Sequence, residues 1–174
     1  MTKSIPIFQI VGFSNSGKTT LMKNLIMKVR EYSLTVATIK HHGHDSKLKA
    51  LDEATDSGKH RESGATASLV ASEDELQLHI QGQTYSLDDL IAFYDKVSLD
   101  ILLVEGFKRE KYEKIVLLRD KNDEHLLDNC VNVKAIICWE EVHKSSVKKR
   151  SSLPVFHISE KGRYLTYILK LLLG

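Results

Sequence analysis

Apolar residues along this chain come in short runs that are separated by polar or glycine-containing connections. The first run, Ile5–Val11, is followed by two glycines, and apolar residues at helical spacing then occur between Lys18 and Tyr32. A second short apolar run covers Leu34–Lys40. The pattern therefore predicts a strand, a helix and a second strand, which is the crossover unit that joins parallel strands with a right-handed connection.

The same alternation continues to the end of the chain. The strongest predicted strand, Asp100–Gly106, is apolar on both faces until it reaches an acid. The other predicted elements are strands at Ala67–Ala71, Leu76–Ile80, Lys114–Arg119, Val133–Trp139 and Pro154–Ser159, and helices at Ser86–Tyr94 and Arg163–Leu173. Alternation of apolar and polar residues in Leu76–Ile80 predicts a short antiparallel strand pair. We expect one α/β domain over residues 1–174, with a mostly parallel sheet and helices on both faces.

Composition and charge further limit the classes of protein to which this chain could belong. A length of 174 residues with 42% apolar residues fits a soluble globular domain. The formal net charge of +2 gives no reason to expect a nucleic-acid or membrane partner. The basic cluster Lys144–Arg150 is interpreted as a solvated loop in preference to a polyanion site. Nothing resembles a signal peptide or a membrane span of roughly 20 apolar residues, so a cytoplasmic location is expected.

The two cysteines do not point to a disulfide or a metal site. Cys130 and Cys138 lack the C-x-x-C spacing of zinc or redox motifs. Cys138 lies within an apolar run, where a free cysteine usually packs as a small core residue.

One short segment carries a strong chemical signal. Residues Gly12–Thr19, GFSNSGKT, satisfy G-x-x-x-x-G-K-[ST] between a predicted strand and a predicted helix. Glycines let successive backbone N–H groups point inward, and the helix N-terminus adds positive potential. Lys18 is expected to reach the β- and γ-phosphates of a nucleotide, Thr19 to bind Mg²⁺, and Thr20 to contact the α-phosphate or cap the helix. A plain glycine-rich turn is the weaker alternative, so the predicted fold is a P-loop NTPase three-layer sandwich.

A carboxylate near the phosphates is the second requirement of such a site. P-loop proteins commonly place one at the end of a neighbouring apolar strand, where it orients Mg²⁺ or a water molecule. Glu105 is the best candidate, because four apolar residues precede it and Gly106 leaves room beside it. The alternative is a strand-end acid that faces solvent.

The second predicted strand leads into a histidine-rich segment at the same edge of the sheet. His41, His42, His44 and Asp45 follow Lys40 directly. They could bind a divalent metal, a phosphate or an anionic substrate, and Asp45 could contact Mg²⁺ through water. They lack the four-ligand spacing of a structural zinc site. A plain polar surface loop stays open as the alternative.

Taken in order, the motifs resemble one known family. The segments are GFSNSGKTTL, TIKHHGHD, a stretch with Asp56, Ser57, His60, Gly64 and Ala65, then DILLVEGFK and KIVLLRD. Together they are similar to molybdopterin-guanine dinucleotide biosynthesis protein B (MobB), and the resemblance covers residues 5–139. It implies a GTP-binding protein with weak GTPase activity that acts as a homodimer. It also implies a role beside the guanylyltransferase that joins GMP to molybdopterin to form the guanine dinucleotide.

The resemblance assigns site residues position by position. The residues that would hold the phosphates and Mg²⁺ of GTP are Gly12, Ser14, Asn15, Ser16, Gly17, Lys18, Thr19 and Thr20. Glu105 would be the acid near the metal, and with Lys18 it is the catalytic candidate. His41, His42, His44, Asp56 and Ser57 would line the rim where the nucleotide or the molybdopterin cofactor docks. No N-K-x-D segment of the kind that recognises guanine occurs, so the GTP preference comes from the resemblance alone.

Two other functions remain possible on the residues. A P-loop kinase for a small metabolite could use the polar segment 41–63 as a lid. Against it, Arg61 and Arg109 are the only arginines between residues 31 and 118, so an arginine-rich lid is missing. A non-enzymatic binding module, in which the nucleotide only stabilises a dimer, is the third hypothesis.

Overall fold

The computed structural model describes residues 5–43, 48 and 54–174. Its strands are β1 (Ile7–Gly12), β2 (Val36–Lys40), β3 (Ala67–Ala71), β4 (Leu76–Ile80), β5 (Ile101–Glu105), β6 (Glu113–Leu118), β7 (Val133–Cys138) and β8 (Val155–His157). Its helices are α1 (Lys18–Glu31), α2 (Asp56–Glu62), α3 (Leu87–Ala92), α4 (His125–Asp128), α5 (Glu141–Arg150) and α6 (Lys161–Leu173). Short 3₁₀ turns occur at Phe93–Lys96 and Lys121–Glu124.

The chain divides into two compact units, and the larger one comprises residues 1–43 and 90–174. It contains a six-stranded sheet in the order β2-β5-β1-β6-β7-β8, and every neighbouring pair is parallel. Every strand predicted from the apolar runs is confirmed, with ends that move by at most two residues. The single-domain prediction stays a prediction.

Helices cover both faces of this sheet, which confirms the three-layer α/β prediction. Alternate residues of a strand point to opposite faces, so Ile115 and Leu117 join one buried cluster and Val116 and Leu118 the other. The first cluster includes the apolar stripes of α1 and α6, and the second includes residues of α4 and α5. Burial on both faces explains why the central strands are continuously apolar. Cys138 is fully buried in the second cluster, as predicted.

The smaller unit comprises residues 44–89. Its β3 and β4 form the predicted antiparallel pair, with Ala67 opposite Ile80 and Ala71 opposite Leu76. Helix α2 packs on β3, and Thr55 caps it by accepting a hydrogen bond from the Gly58 N–H.

The prediction of a loop at Lys144–Arg150 is wrong, because these residues belong to helix α5. The prediction that the segment is solvated is confirmed for Ser145, Ser146 and Lys148–Arg150, which are exposed.

Two side chains of α5, His143 and Val147, are buried, and Lys144 forms an ion pair of 2.7 Å with Glu160. The segment has too few apolar residues for a helical pattern, so tertiary packing and not the sequence period defines this helix. In the described part of the chain, no helix is long and apolar enough to cross a membrane.

We predict that Lys114, at the start of β6, is a structural lysine. It is fully buried, and its ammonium donates hydrogen bonds of 2.6–2.7 Å to the carbonyl oxygens of Glu110, Tyr112 and Val131. Lys114→Met should lower the free energy of unfolding by about 1.5–3 kcal/mol, since three carbonyl acceptors lose a charged donor. Urea denaturation measures this loss.

The control for this variant is Lys134→Met on the neighbouring strand. Lys134 is partly exposed and forms an ion pair of 2.7 Å with Glu113. Its removal should cost less than about 1 kcal/mol, as for other exposed ion pairs. Equal losses for the two variants would contradict the structural role of Lys114.

Candidate functional site

The glycine-rich loop connects β1 to α1 at the carboxyl edge of the sheet. Asn15 and Gly17 have φ values of 61° and 91°, so the backbone turns back on itself within the loop. A Cβ atom on Gly12 would lie 2.4 Å from Ser16 Oγ and 3.0 Å from the carbonyl oxygen of Leu117. Only glycine fits at this first position, because a side chain would push the loop off the neighbouring strand.

Lys18 folds back over this loop. Its Nζ donates a hydrogen bond of 2.7 Å to the carbonyl oxygen of Phe13. Burial lowers the pKa of Lys18, the carboxylate of Glu105 opposes that effect, and the positive charges of Lys40 and Arg119 add to it. The loop therefore lies in a region of converging positive charge, which favours an anionic ligand.

Glu105 lies beside the first turn of α1. Its Oε2 accepts a hydrogen bond of 3.3 Å from Thr19 Oγ1, and its Oε1 lies 3.2 Å from Lys40 Nζ. The alternative that Glu105 is a solvent-facing acid is wrong, because the residue is only 7% exposed. A hydroxyl and a carboxylate at this distance are the hard oxygen donors that Mg²⁺ prefers.

A buried glutamine holds the turn that follows Glu105. Gln9 on β1 is fully buried, and its Nε2 donates hydrogen bonds to the carbonyl oxygens of Gly106 at 3.1 Å and Phe107 at 2.9 Å. Gly106 has a φ of 96°, and a Cβ atom there would lie 2.9 Å from the Cβ of His41. Gln9 on one side and His41 on the other therefore restrain this turn, which keeps Glu105 at the end of its strand.

The histidine segment is described only in part. The backbone N–H of His41 donates to the carbonyl oxygen of Glu105 at 2.9 Å, and its ring centroid lies 4.7 Å from that of Phe107. His42 follows it and is exposed. His44 and Asp45, both predicted site residues, lie outside the described residues. Within the described ranges 5–43 and 54–174, no cluster of histidine, cysteine, aspartate and glutamate could hold a metal ion.

Asp56 and Ser57 belong to the smaller unit, in the first turn of α2. Asp56 forms an exposed ion pair of 2.9 Å with Lys59, and Ser57 Oγ lies 2.8 Å from Thr55 Oγ1. Their predicted place on the rim of the site stays a prediction. The structure thus brings together the glycine-rich loop, Glu105 and the backbone of His41.

Trp139, which the sequence pattern places only at the end of a strand, is a neighbour of the site. Its indole N–H donates a hydrogen bond of 3.0 Å to the carbonyl oxygen of Ser16, 123 residues away. Its ring also lies against Gly17, with one ring carbon 3.6 Å from where a Cβ would stand. The only available signal was its position after an apolar strand, at the edge where the loop lies.

The sequence pattern did not identify Lys40 and Arg119 as neighbours of the site either, because it shows only that they lie at strand ends. Lys40 ends β2 and Arg119 follows β6, and both place positive charge near Lys18. Arg119 donates two hydrogen bonds of 3.0 Å to the carboxylate of Asp123, which holds the pKa of that buried acid below its usual value. Strand-end position could have identified all three residues, but their contacts could not be deduced from it.

We predict that Gly106 cannot be replaced by alanine without loss of stability. The positive φ and the close approach to His41 together should cost about 2–4 kcal/mol. Gly82→Ala is the matched control, because Gly82 has a φ of 76° but no atom within 4 Å of the place where a Cβ would stand. Thermal or urea unfolding should show a loss of only about 1 kcal/mol for this control. Similar losses in both variants would mean that the contact with His41 contributes nothing.

The architecture defines the class of protein. A parallel sheet with helices on both faces, a glycine-rich loop between the first strand and first helix, and a carboxylate on the adjacent strand form a P-loop NTPase-like α/β fold. The sequence profile of the family described as "Molybdopterin guanine dinucleotide synthesis protein B" (MobB) matches residues 7–139. The chain belongs to this family.

Individual relatives agree with this assignment. The chain is 36% identical over 160 residues to a Bacillus subtilis protein named "Probable molybdopterin-guanine dinucleotide biosynthesis adapter protein", covering 92% of this chain and 90% of that protein. An Escherichia coli adapter protein of the same pathway name is 36% identical over 119 residues, or 67% of each chain. The crystal structure of Bacillus subtilis MobB superposes with a TM-score of 0.82 at 34% identity, covering 95% of this chain and 97% of that one.

Proposed function

We propose that this protein is a GTP-binding adapter in the biosynthesis of the molybdenum cofactor. It would assist a guanylyltransferase that attaches GMP to molybdopterin, act as a homodimer and hydrolyse GTP slowly. Two observations support the proposal: its relatives are named as adapter proteins of molybdopterin-guanine dinucleotide biosynthesis, and Lys18, Thr19 and Glu105 meet at one glycine-rich loop. The meeting of these three residues at the loop is the observation that supports GTP binding.

The loop supplies the groups that a triphosphate requires. Backbone N–H groups of residues 14–20 would surround the phosphates, and Lys18 would exchange its hydrogen bond to Phe13 for a phosphate oxygen. That exchange is favourable because a phosphate carries a full negative charge and a carbonyl oxygen does not. Trp139 and Gln9 would keep the loop and the turn after β5 in place while the ligand changes.

Thr19 and Glu105 would hold Mg²⁺, and their oxygen atoms fit that ion in type and separation. When bound, the ion would neutralise charge on the β- and γ-phosphates. In its ion pair with Lys40, the Glu105 carboxylate already accepts a positive partner at this place. Asp45 and the histidines His41, His42 and His44, with Asp56 and Ser57, are proposed to contribute to the rim.

The experiment that tests the function measures two quantities on the purified protein. Titration with GTP and with ATP should show tighter binding of GTP, and addition of the protein should increase the yield of guanine dinucleotide by the transferase. Clear ATP preference, or no effect on the transferase, would contradict the proposal. Rapid ADP release with a small-metabolite acceptor would support a kinase in its place.

Lys18→Ala should weaken GTP binding by at least about tenfold, because a charged donor to the phosphates is worth about 1.5–3 kcal/mol. Calorimetry in Mg²⁺ buffer measures the affinity. Lys23→Ala is the matched control, since Lys23 lies on the exposed face of the same helix. Unchanged affinity in the Lys18 variant would refute the phosphate-binding role of the loop.

Glu105→Gln should leave GTP binding within about threefold but weaken its dependence on Mg²⁺ and slow hydrolysis by at least about tenfold. The amide keeps the hydrogen bond from Thr19 and removes the charge that would bind the ion. Glu113→Gln, at the opposite end of a parallel strand, is the control. A wild-type hydrolysis rate and Mg²⁺ dependence in the Glu105 variant would show that Glu105 has no role in the site.

A further inference from the structure

Lys40 and Glu105 form an ion pair at the carboxyl edge of the sheet. The two residues lie opposite each other in the parallel pairing of β2 with β5, and Lys40 Nζ lies 3.2 Å from Glu105 Oε1. The backbone N–H of His41 donates to the carbonyl oxygen of Glu105, so the end of β2 is held beside this acid. The register of the sheet therefore fixes the pair, and both residues belong to the larger unit.

The two side chains of this pair differ in exposure. The Glu105 side chain is 9% exposed and that of Lys40 is 60% exposed. A buried carboxylate is costly unless a cation or hydrogen-bond donors compensate its charge, and Lys40 compensates it from the surface. A lysine side chain is long, so its ammonium can move into water without leaving a buried charge of its own. Glu105 is thus the fixed member of the pair, and Lys40 is the member that can be replaced.

The charges beside the glycine-rich loop do not balance. Three charged groups act electrostatically on Lys18: Glu105, Lys40 and Arg119. Arg119 is already paired with Asp123 at 3.0 Å. In the described part of the site, the two lysines and the carboxylate therefore leave one net positive charge. A divalent cation that approaches Glu105 in the absence of a nucleotide is repelled by both lysines.

We propose that Lys40 makes the binding of the divalent ion at Thr19 and Glu105 conditional on a bound triphosphate. This inference rests on the proposed function. Without a nucleotide, the Lys40 ammonium compensates the Glu105 carboxylate and repels the ion. The phosphates carry several negative charges and reverse the sign of the local potential, so Lys40 is released and the ion is attracted. Lys40 is thus a positioning residue that acts through Glu105, and ion and triphosphate strengthen each other's binding.

The experiment titrates the full chain with Mn²⁺ in place of Mg²⁺, because the free Mn²⁺ ion is observed directly by electron paramagnetic resonance. Without nucleotide, Lys40→Met should bind Mn²⁺ at least about tenfold more tightly than the wild-type chain. A unit charge a few ångströms from a divalent ion changes its binding by about that factor even in water. Lys40→Arg keeps the charge and should keep the wild-type affinity. Lys23→Met, on the exposed face of α1, is the matched control and should change nothing.

Two further measurements assign the effect to Glu105 and to the nucleotide-free state. Lys40→Met combined with Glu105→Gln should lose the gain in Mn²⁺ affinity, because the carboxylate that would bind the ion is then missing. The complex of Mn²⁺ with GTP should bind to the wild-type chain and to Lys40→Met with affinities within about threefold, since Lys40 is already released from Glu105 in that state.

The possible results separate this inference from the function on which it rests. The inference would be overturned, with GTP binding intact, if Lys40→Met and the wild-type chain bind Mn²⁺ equally without nucleotide. It would also be overturned if the gain persists with Glu105→Gln, or if Lys40→Met changes binding of the complex with GTP tenfold or more. If the wild-type chain does not bind that complex at all, the proposed function fails together with the inference.

Discussion

The parallel pairing of β1 with β5 and β6 is the interaction on which the site depends. Its register places Ile10 opposite Glu105 and Gly12 opposite Leu117. The loop that follows β1 therefore begins beside the carboxylate that ends β5, and backbone hydrogen bonds fix both. Because these strands are buried on both faces, a shift in register would disrupt the close packing of both buried clusters, which fixes the register.

Buried polar contacts convert this strand pairing into a defined site. Gln9 holds the turn after Glu105, and Trp139 holds the loop through Ser16. Both side chains donate to backbone carbonyl oxygens, so they constrain the main chain directly. Burial and the neighbouring cations lower the pKa of Lys18, and a negatively charged group beside it would offset this cost to its positive charge.

Much of the candidate site could be predicted from the sequence, because its loop is contiguous. Gly12–Thr19 appears as one motif, and its residue types follow from phosphate chemistry at a helix N-terminus. Glu105 could be predicted from its place after an apolar strand. Trp139 could not be assigned to the loop, since its hydrogen-bond partner lies 123 residues away and no local pattern encodes that pairing.

The sequence by itself determined the elements of the sheet and the family, since apolar period and contiguous motifs are local properties. Even the antiparallel pair β3–β4 followed from alternation. Helix α5 was decided only by tertiary structure: His143 and Val147 are buried against other elements, and the segment has no helical period of its own. The same holds for a cavity of about 730 Å³ beside the loop, which Asn24 and Lys161 line. It forms where two helices distant in sequence lie side by side, and only packing determines that space.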